Sequence, residues 1–175
     1  LDGPAVTALR TAAVGAVSIR HLAPQDAHAV GIIGAGVQGF HQARAACSAR
    51  PMTDVFIYDL YPEKALALKD KLSRILPGVD IHHANGVEQL LEQSQVVITA
   101  TTSMDPVLPD NEEPLAGKHF VGIGSYKPQV REFPQTLFNL VECVYVDTEH
   151  ALEESGDVIV PLEKGWLRRD QVSTL

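Results

Sequence analysis

The sequence has little of several features that mark particular classes of protein. It has 14 Lys and Arg residues against 22 Asp and Glu residues, which gives a formal net charge of -8. A negatively charged surface disfavours binding to nucleic-acid backbones and to anionic membranes. No apolar run approaches the ~20 residues that cross a bilayer, and we recognise no basic-then-apolar leader. We therefore expect no nucleic-acid partner, no membrane partner and a cytoplasmic location.

Cysteine is scarce, and neither it nor histidine has the spacing of a metal site. Cys47 and Cys143 form no C-x-x-C pair and have no histidine at a metal-ligand interval. We interpret both as small core residues in a reducing compartment. The adjacent pair His82 and His83 would point to opposite faces of a strand, so the two could not easily share one metal. No metal is expected.

A glycine motif in a specific setting is the most informative feature that the sequence does have. An apolar run leads into Gly34-x-Gly36-x-x-Gly39, a helical pattern follows, and Asp59 lies twenty residues beyond the last glycine. This is the spacing of a dinucleotide-binding unit. Gly34 permits a tight turn, Gly36 lets the backbone approach a pyrophosphate, and Gly39 allows the helix to pack closely on the strand.

The residues around this motif predict the cofactor. Val37 and Gln38 begin the helix and complete the predicted pyrophosphate site. A carboxylate at Asp59 can accept the hydroxyls of an adenosine ribose and would repel a 2′-phosphate, which favours NAD over NADP. Two alternatives stay open: Asp59 caps the following helix, or Lys64 and Arg44, which are near in sequence, allow a phosphate.

Strands and helices alternate along most of the chain. A long first helix, from Asp2-Gly3-Pro4 to Ala23, shows an approximate apolar stripe at Val6, Leu9, Ala13, Val17 and Ile19. The patterns that follow predict strands at 29–33, 54–58, around Ile81, 96–99, 120–123 and 144–146, and helices at 37–49, 62–76 and 85–91. Such alternation implies an α/β fold with a doubly wound, Rossmann-type parallel sheet of strand order 3-2-1-4-5-6.

Three parts are expected along the chain. Residues 1–23 form the N-terminal helix, 24–150 the dinucleotide-binding domain, and 151–175 a C-terminal segment that leads towards a further domain. Within the second part, Asn85 and Glu88 resemble a capping box, and 102–117 is predicted to be a long loop. The chain starts at a leucine and shows no closing element, from which we expect it to be excised from a two-domain protein.

Further candidate residues follow the fourth and fifth strands, because ligands of such sheets lie beyond the carboxyl ends of the strands. We expect these residues, the glycine turn and Asp59 to surround one crevice. After the fourth strand, the candidates for contact with the nucleotide are Thr101, Thr102 and Ser103, although Ser and Thr are also common in ordinary turns.

Gly124 and Ser125 follow the fifth strand, where the nicotinamide is expected. A glycine at this point lets a flat ring approach the backbone. Tyr126 and Lys127 come next and are candidates for substrate contact, but a simple turn bounded by Pro128 also explains them.

Four runs of the sequence together resemble the ornithine cyclodeaminase/mu-crystallin family. They are VTALRTAAV at 6–14, VGIIGAGVQG at 30–39, GIGSYKPQVRE at 122–132 and VDTEHALEESGD at 146–157. The resemblance implies an NAD(P)-binding domain that works with a second domain in a homodimer. It implies hydride transfer between the nicotinamide and the α-carbon of an amino acid or cyclic imino acid, as in a ketimine reductase or a cyclodeaminase.

The resemblance also changes the interpretation of Arg10. By itself, Arg10 is the one basic residue in an apolar stretch of the first helix and fits a solvated charge. In the family, the arginine of the Leu-Arg-Thr-Ala motif holds the substrate carboxylate, and a guanidinium fork suits that group. Thr11 beside it is assigned to the cofactor site.

One departure from the family bears on the reaction. Cyclodeaminases of the family carry an aspartate two residues before the proline of the run after the fifth strand, and this chain has Tyr126 there. A phenol is a poor base at neutral pH, so ornithine cyclisation is disfavoured. Two other functions stay open: a non-catalytic, mu-crystallin-like binding protein, and a regulatory domain that binds another nucleotide.

Overall fold

The computed structural model describes residues 3–175, and the predicted helix start at Asp2 lies outside them. The chain forms two compact units. The first unit contains the residues up to Thr101 together with Gly117–Ile123, and the second contains Thr102–Ala116 and Gly124–Leu175.

The elements follow one another in the order that the sequence predicts for most of the chain. They are α1 (Gly3–Leu22), β1 (Ala29–Ile33), α2 (Val37–Ala49), β2 (Asp54–Tyr58), α3 (Pro62–Ile75), β3 (Asp80–His83), α4 (Val87–Gln93), β4 (Val96–Thr99), α5 (Glu112–Leu115), β5 (His119–Gly122), α6 (Gln135–Leu140), β6 (Val144–Val146), α7 (Ala151–Glu154), α8 (Gly156–Lys164) and β7 (Val172–Thr174). A single 3-10 turn at Arg169–Gln171 precedes β7.

The first unit is built on a parallel sheet with the strand order β3-β2-β1-β4-β5. Every residue of β1 and of β4 is buried, as expected for central parallel strands covered by helices on both faces. Hydrophobic side chains such as Val30, Ile32, Val55, Ile57 and Leu72 are fully buried in its core. The predicted Rossmann-type fold is therefore confirmed.

The prediction that β6 is the sixth strand of that sheet is wrong. β6 pairs in parallel with β7 in a separate two-stranded sheet, with Val144 opposite Val172. A short apolar run predicts a strand but not its partner, and the C-terminal segment supplies the partner. Val146 and Val172 then pack with Phe138, Val158 and Leu167 in a core cluster of the second unit.

Helix α1 buries most of a different face from the predicted stripe. Of the stripe, Ile19 is buried, whereas Val6, Leu9, Ala13 and Val17 are exposed. The other buried residues of this face are Ala8, Ala12, Gly15 and the following Ala23. α1 packs on α2. A Cβ at Gly15 would collide with the Gln42 side chain of α2, so the absence of a side chain at Gly15 permits this contact.

Two local predictions also need correction. Helix α4 begins after Gly86 without a side-chain cap, and the backbone amide of Asn85 donates to Oε1 of Gln89 at 2.8 Å, so Asn85 and Glu88 form no capping box. The segment 102–117 is not all loop, since α5 forms there with Asn111 as its N-cap.

The cysteines lie where the sequence analysis expected them. Cys47 is half-buried in α2 and packs against the core of the first unit, and Cys143 is half-buried beside β6. Burial raises the pKa of the Cys47 thiol to about 11. Because the thiolate is the reactive form, this thiol is unreactive at neutral pH.

Close packing of α2 on β1 predicts an asymmetry between two glycines of the motif. A Cβ at Gly39 would collide with the carbonyl oxygen of Gly34, which is backbone and cannot rotate away, whereas a Cβ at Gly36 has nothing within 4 Å. We expect Gly39→Ala to lower the free energy of unfolding by about 1–3 kcal/mol. Urea denaturation measures the loss.

Gly36→Ser is the matched control for this prediction. Serine is a favoured N-cap residue, and Gly36 is the N-cap of α2, so the control should unfold at or above the wild-type urea concentration. Equal destabilisation by the two substitutions would contradict the packing argument.

Candidate dinucleotide-binding site

The glycine turn between β1 and α2 has the geometry that a close-approaching ligand needs. Gly34 has a φ of 104°, a left-handed conformation that favours glycine, and a Cβ there would also collide with the carbonyl of Ala100. Its amide donates to the carbonyl oxygen of Tyr58 at 2.9 Å. The turn is therefore fixed between β1, β2 and the end of β4.

The start of α2 is open on the side of Gly36. Gly36 caps the helix without any side-chain hydrogen bond, and it and Val37 are exposed. A helix N-terminus without a capping side chain presents free amides and the positive end of the helix dipole. The predicted pyrophosphate residues thus lie together at one end of one helix.

Asp59 connects this turn to the next helix. Its Oδ2 accepts a hydrogen bond from the amide of Ala35 at 2.7 Å, and its Oδ1 accepts one from the amide of Tyr61 at 2.9 Å. Tyr61 is the N-cap residue of α3, and the start of this helix has no side-chain cap hydrogen bond. Asp59 therefore binds the residue before the helix and does not cap its first turn. Each carboxylate oxygen has more than one lone pair, so both keep acceptor capacity for a ribose.

Lys64 and Arg44, the two cations that could allow a 2′-phosphate, lie over aromatic rings. Nζ of Lys64 is 4.4 Å from the ring centroid of Tyr61, and the guanidinium carbon of Arg44 is 5.5 Å from that of Phe40. Nζ of Lys71 lies closer to Phe40, at 3.6 Å. Cation–π contacts give both predicted cations a structural role within the first unit.

The sequence allows two interpretations of the residues after β4, contact with a nucleotide or an ordinary turn, and the three residues differ in their surroundings. Thr101 is half-buried, and its methyl group is 3.2 Å from where a Cβ on Gly34 would lie, so Thr101 belongs to the turn region. Thr102 is exposed. The hydroxyl of Ser103 donates to the carbonyl of Asp105 at 2.7 Å, which is ordinary turn chemistry.

The residues after β5 belong to the second unit. The amide of Gly124 donates to Oε2 of Glu132 at 2.6 Å. The Ser125 hydroxyl donates to the carbonyl of Val130 at 2.8 Å and accepts from the amide of Asp157 at 2.9 Å. The polar groups of this loop are therefore already hydrogen-bonded within it. The contact of Gly124 and Ser125 with a nicotinamide stays a prediction.

Tyr126 and Lys127 form the exposed tip of this loop. The amide of Tyr126 donates to the carbonyl of Gly124 at 2.9 Å, and Nζ of Lys127 lies 5.2 Å from the Tyr126 ring centroid. The simpler interpretation, a turn before Pro128, accounts for both residues.

Glu132 and Asp157 are buried acids that the sequence analysis missed. They are 0% and 6% exposed. Both Asp157 oxygens accept from the amide of Glu132, and Oδ1 also accepts from that of Phe133. One signal was available: Gly156 precedes Asp157, and a Cβ there would collide with the carbonyl of Val130, so a glycine marked a close backbone approach.

The environment of Asp157 changes its ionisation. Its pKa is raised to about 7, chiefly because burial disfavours the charged form. The amides of Phe133 and Glu132 oppose this shift, the Glu132 carboxylate adds to it, and the Arg131 guanidinium opposes it.

Arg10 and Thr11 lie on α1, where Arg10 is exposed and Thr11 is half-buried. The carbonyl of Thr11 accepts a hydrogen bond from Nε2 of Gln42 at 3.0 Å. Gln42 is fully buried in α2, and Gly15 provides its room, since a Cβ at Gly15 would collide with the Gln42 amide. The segment that carries Arg10 is thereby tied to the helix that begins at the glycine turn.

Gln38 lies one helical turn before Gln42. Its Oε1 is buried and has no hydrogen-bond partner within the described part of the chain. Buried amide oxygens are usually paired, so this atom has unused acceptor capacity at the predicted cofactor site.

Within residues 3–175, no three His, Cys, Asp or Glu side chains gather as a metal site would require. Nε2 of His82 instead donates a hydrogen bond to Oδ1 of Asp54 at 2.8 Å, and its ring stacks on Phe56. In the same range, no helix has both the length and the apolar character that crossing a bilayer needs.

Comparison with known proteins extends these observations. The chain matches the sequence profile of the ornithine cyclodeaminase/mu-crystallin family over residues 1–174. It is 31% identical to a Delta(1)-pyrroline-2-carboxylate reductase of Bacillus thuringiensis subsp. konkukian, over 98% of this chain and 52% of the relative. It is 32% identical to the ketimine reductase mu-crystallin of Macropus fuliginosus, over 91% of this chain and 49% of the relative.

A solved structure shows the same likeness in three dimensions. The Delta(1)-pyrroline-2-carboxylate reductase of Thermococcus litoralis, in complex with NADH and L-proline, superposes with a TM-score of 0.90 at 30% identity. The match covers 98% of this chain and 53% of that one, so the chain spans about half the length of these relatives. With the glycine turn, Asp59 and the parallel sheet in place, the chain belongs to the ornithine cyclodeaminase/mu-crystallin family.

Proposed function

We propose that this chain is the NAD(H)-binding part of an oxidoreductase that moves a hydride between the nicotinamide and the α-carbon of an amino acid or cyclic imino acid. The glycine turn carries the proposal: Asp59 holds it by the Ala35 amide, and the space in front of Gly36 is open. The names of the relatives support the reaction, since one is a Delta(1)-pyrroline-2-carboxylate reductase and the other a ketimine reductase.

The residues present fit a dinucleotide. The uncapped start of α2 can accept a pyrophosphate, because its free amides are donors and a side chain at Gly36 would fill the space that the anion needs. Asp59 is already oriented by two amides and offers its remaining lone pairs to the ribose hydroxyls. A bound nicotinamide would supply the hydride, and these groups would orient it.

The cofactor is NAD rather than NADP under this proposal. Two backbone amides orient the Asp59 side chain, and a 2′-phosphate placed on the ribose would meet its negative charge. Lys64 and Arg44, which could have offset this repulsion, are engaged with Tyr61 and Phe40.

Arg10 is the proposed substrate anchor. It is exposed, so its planar fork is free to receive a carboxylate, and α1 is held on α2 by Gln42 at the neighbouring Thr11. Fixing the carboxylate aligns the α-carbon with the hydride donor, and alignment of this kind lowers the barrier of a bimolecular step.

Reduction of an imine is favoured over cyclisation of ornithine. Tyr126 stands where cyclodeaminases of the family have an aspartate, and it lies exposed at the tip of the loop after β5. A relative that reduces a cyclic imine needs no base for ammonia loss, whereas a cyclodeaminase does. Purified full-length protein should oxidise NADH with a cyclic imino acid; a protein that binds NADH but reduces none of them would be the non-catalytic binder.

Three further parts of the proposal come from the sequence and from the family resemblance. They are the division into residues 1–23, 24–150 and 151–175, a homodimer formed through a further domain, and a cytoplasmic location.

A first prediction tests the pyrophosphate site. Gly36→Val places a side chain in the open space before α2, so the dissociation constant of NADH should rise more than tenfold, or more than ~1.4 kcal/mol. Fluorescence titration of folded full-length protein measures it. Ala67→Val, which places the same side chain on the exposed face of α3, should leave the constant unchanged. Wild-type affinity in Gly36→Val would exclude a pyrophosphate at this turn.

A second prediction concerns cofactor choice. The wild-type protein should bind NADH more tightly than NADPH. In Asp59→Ser the difference between the two dissociation constants should be smaller, because a repulsive charge and a ribose acceptor are lost. Asp59→Asn is the control, since it removes the charge but keeps an oxygen for the Ala35 amide. Asp59→Asn should also reduce the difference between the dissociation constants of NADH and NADPH, with a smaller loss of stability than Asp59→Ser. Tighter binding of NADPH by the wild-type protein would place the ribose away from Asp59.

A third prediction concerns Arg10. Arg10→Lys keeps the charge but loses the planar fork, so kcat/KM for an imino acid should fall sharply while NADH affinity stays nearly unchanged. Arg10→Ala should cost roughly 2 to 5 kcal/mol of transition-state binding. Arg20→Ala alters an exposed arginine on the same helix and should have no effect. Unchanged kcat/KM in both Arg10 variants would leave Arg10 a solvated helix charge.

A further inference from the structure

Gln42 is a buried amide that joins α2 to α1 inside the first unit. It is 0% exposed, and its Nε2 donates to the carbonyl oxygen of Thr11 at 3.0 Å. Gly15 lies one turn further along α1, and a Cβ there would collide with Oε1 of Gln42. Because Gly15 has no side chain, Gln42 can reach the backbone of α1 at the residue that follows Arg10.

The stability of the fold does not by itself account for this amide. A carbonyl inside an α-helix accepts the amide four residues further on, so the Thr11 carbonyl needs no second donor. Oε1 of Gln42 is buried and has no hydrogen-bond partner within the part of the chain that the structure describes. A buried acceptor without a partner costs stability, and an apolar side chain of similar size would avoid that cost. The Gln42 bond therefore fixes the position of α1 on α2 more than it stabilises the fold.

The contact at Thr11 acts on the half of α1 that carries Arg10. Among the described residues, the other side-chain hydrogen bonds from elements of the first unit to α1 lie in the second half of that helix. The Ser18 hydroxyl contacts Nε2 of the histidine that begins β5 at 2.9 Å, and Arg50 donates to the carbonyl of Arg20 at 3.1 Å. Arg20 is ten residues beyond Arg10, which is ~15 Å along a helix.

We propose that Gln42 is a positioning residue for the substrate carboxylate: by holding the Thr11 carbonyl, it sets the position of Arg10 relative to the glycine turn at the start of α2. This inference rests on the proposed function, in which Arg10 is the substrate anchor. Gln42 touches neither cofactor nor substrate in it and acts only through α1.

Loss of the Gln42 bond should affect the substrate more than the cofactor. A reacting group misplaced by about 1 Å can cost 10²-fold in rate. We expect kcat/KM for a cyclic imino acid to fall about tenfold, mostly through a higher KM, because a displaced Arg10 binds the carboxylate less well. The dissociation constant of NADH should rise by no more than about threefold, because the free amides at the start of α2 belong to the helix that carries Gln42. A small rise is expected because Thr11, a predicted cofactor contact, lies on α1.

Gln42→Met in the full-length protein is the main test. Methionine has nearly the same length as glutamine but no donor, so the variant should fold with an unchanged or higher Tm while kcat/KM falls. A second measurement needs neither cofactor nor substrate. Backbone amides of α1 around Thr11 should exchange with deuterium faster than in the wild-type protein, because this half of the helix is less firmly held.

Gly15→Ala reaches the same bond from the other helix. The new Cβ would displace the Gln42 amide, so kcat/KM should fall as it does in Gln42→Met. In a Gln42→Ala background the collision is gone, and Gly15→Ala should then cause no further loss. Such non-additivity is the signature of two substitutions that act through one contact. If Gly15→Ala does not fold, Gln42→Met carries the test.

Arg50→Ala is the matched control. Arg50 is the residue at the other end of α2, and it also donates to α1, at the carbonyls of Arg20 and Ala23. Its removal should lower the Tm but leave KM for the imino acid and the exchange around Thr11 at their wild-type values.

The outcomes separate this inference from the proposed function. Wild-type KM and wild-type exchange in folded Gln42→Met, or an equal rise of KM in Arg50→Ala, would overturn the positioning role while the wild-type enzyme still reduces imines. An active enzyme that is unaffected by Arg10→Ala would also overturn it, since Gln42 would then have no anchor to position. A wild-type protein that neither binds NADH nor reduces any cyclic imine would overturn the proposed function and this inference with it.

Discussion

The hydrogen bonds of Asp59 hold together the segments of the first unit on which its candidate site depends. One oxygen takes the amide of Ala35, inside the glycine turn, and the other takes that of Tyr61, at the start of α3. Hydrogen bonds to a charged acceptor contribute about 1.5–3 kcal/mol each, so the turn is held without help from a ligand. A turn that is already ordered does not lose that entropy when a dinucleotide binds.

Close backbone approach is the second constraint, and glycines provide it. Gly39 lets α2 lie against the carbonyl of Gly34, and Gly15 lets the buried Gln42 side chain reach the backbone of α1. These contacts link β1 and the glycine turn to α2, and α2 to α1. Arg10 is consequently carried on a helix that is tied to α2, the helix that begins at the glycine turn.

The second unit uses a different physical device. Its small apolar core, around Phe138 and Leu167, is accompanied by Glu132 and Asp157, whose carboxylates satisfy the amides of a loop with little regular structure. Backbone amides in such a loop cannot pair in a helix or sheet, so buried side chains must accept from them. The cost appears in the raised pKa of Asp157, which burial brings to about 7.

Local pattern was sufficient for much of this protein. The glycine spacing, the apolar runs of β1 and β4 and the proline at the start of α3 determined the alternation of elements and the identity of the turn, because each depends on residues close in sequence. The partner of β6, the buried face of α1 and the bond from the Ala35 amide to Asp59 were decided only by tertiary structure, since each depends on groups distant in sequence. The same holds for Glu132 and Asp157. The sequence does not distinguish a buried acid from an exposed one, and only the fold places backbone amides where they can donate to these side chains.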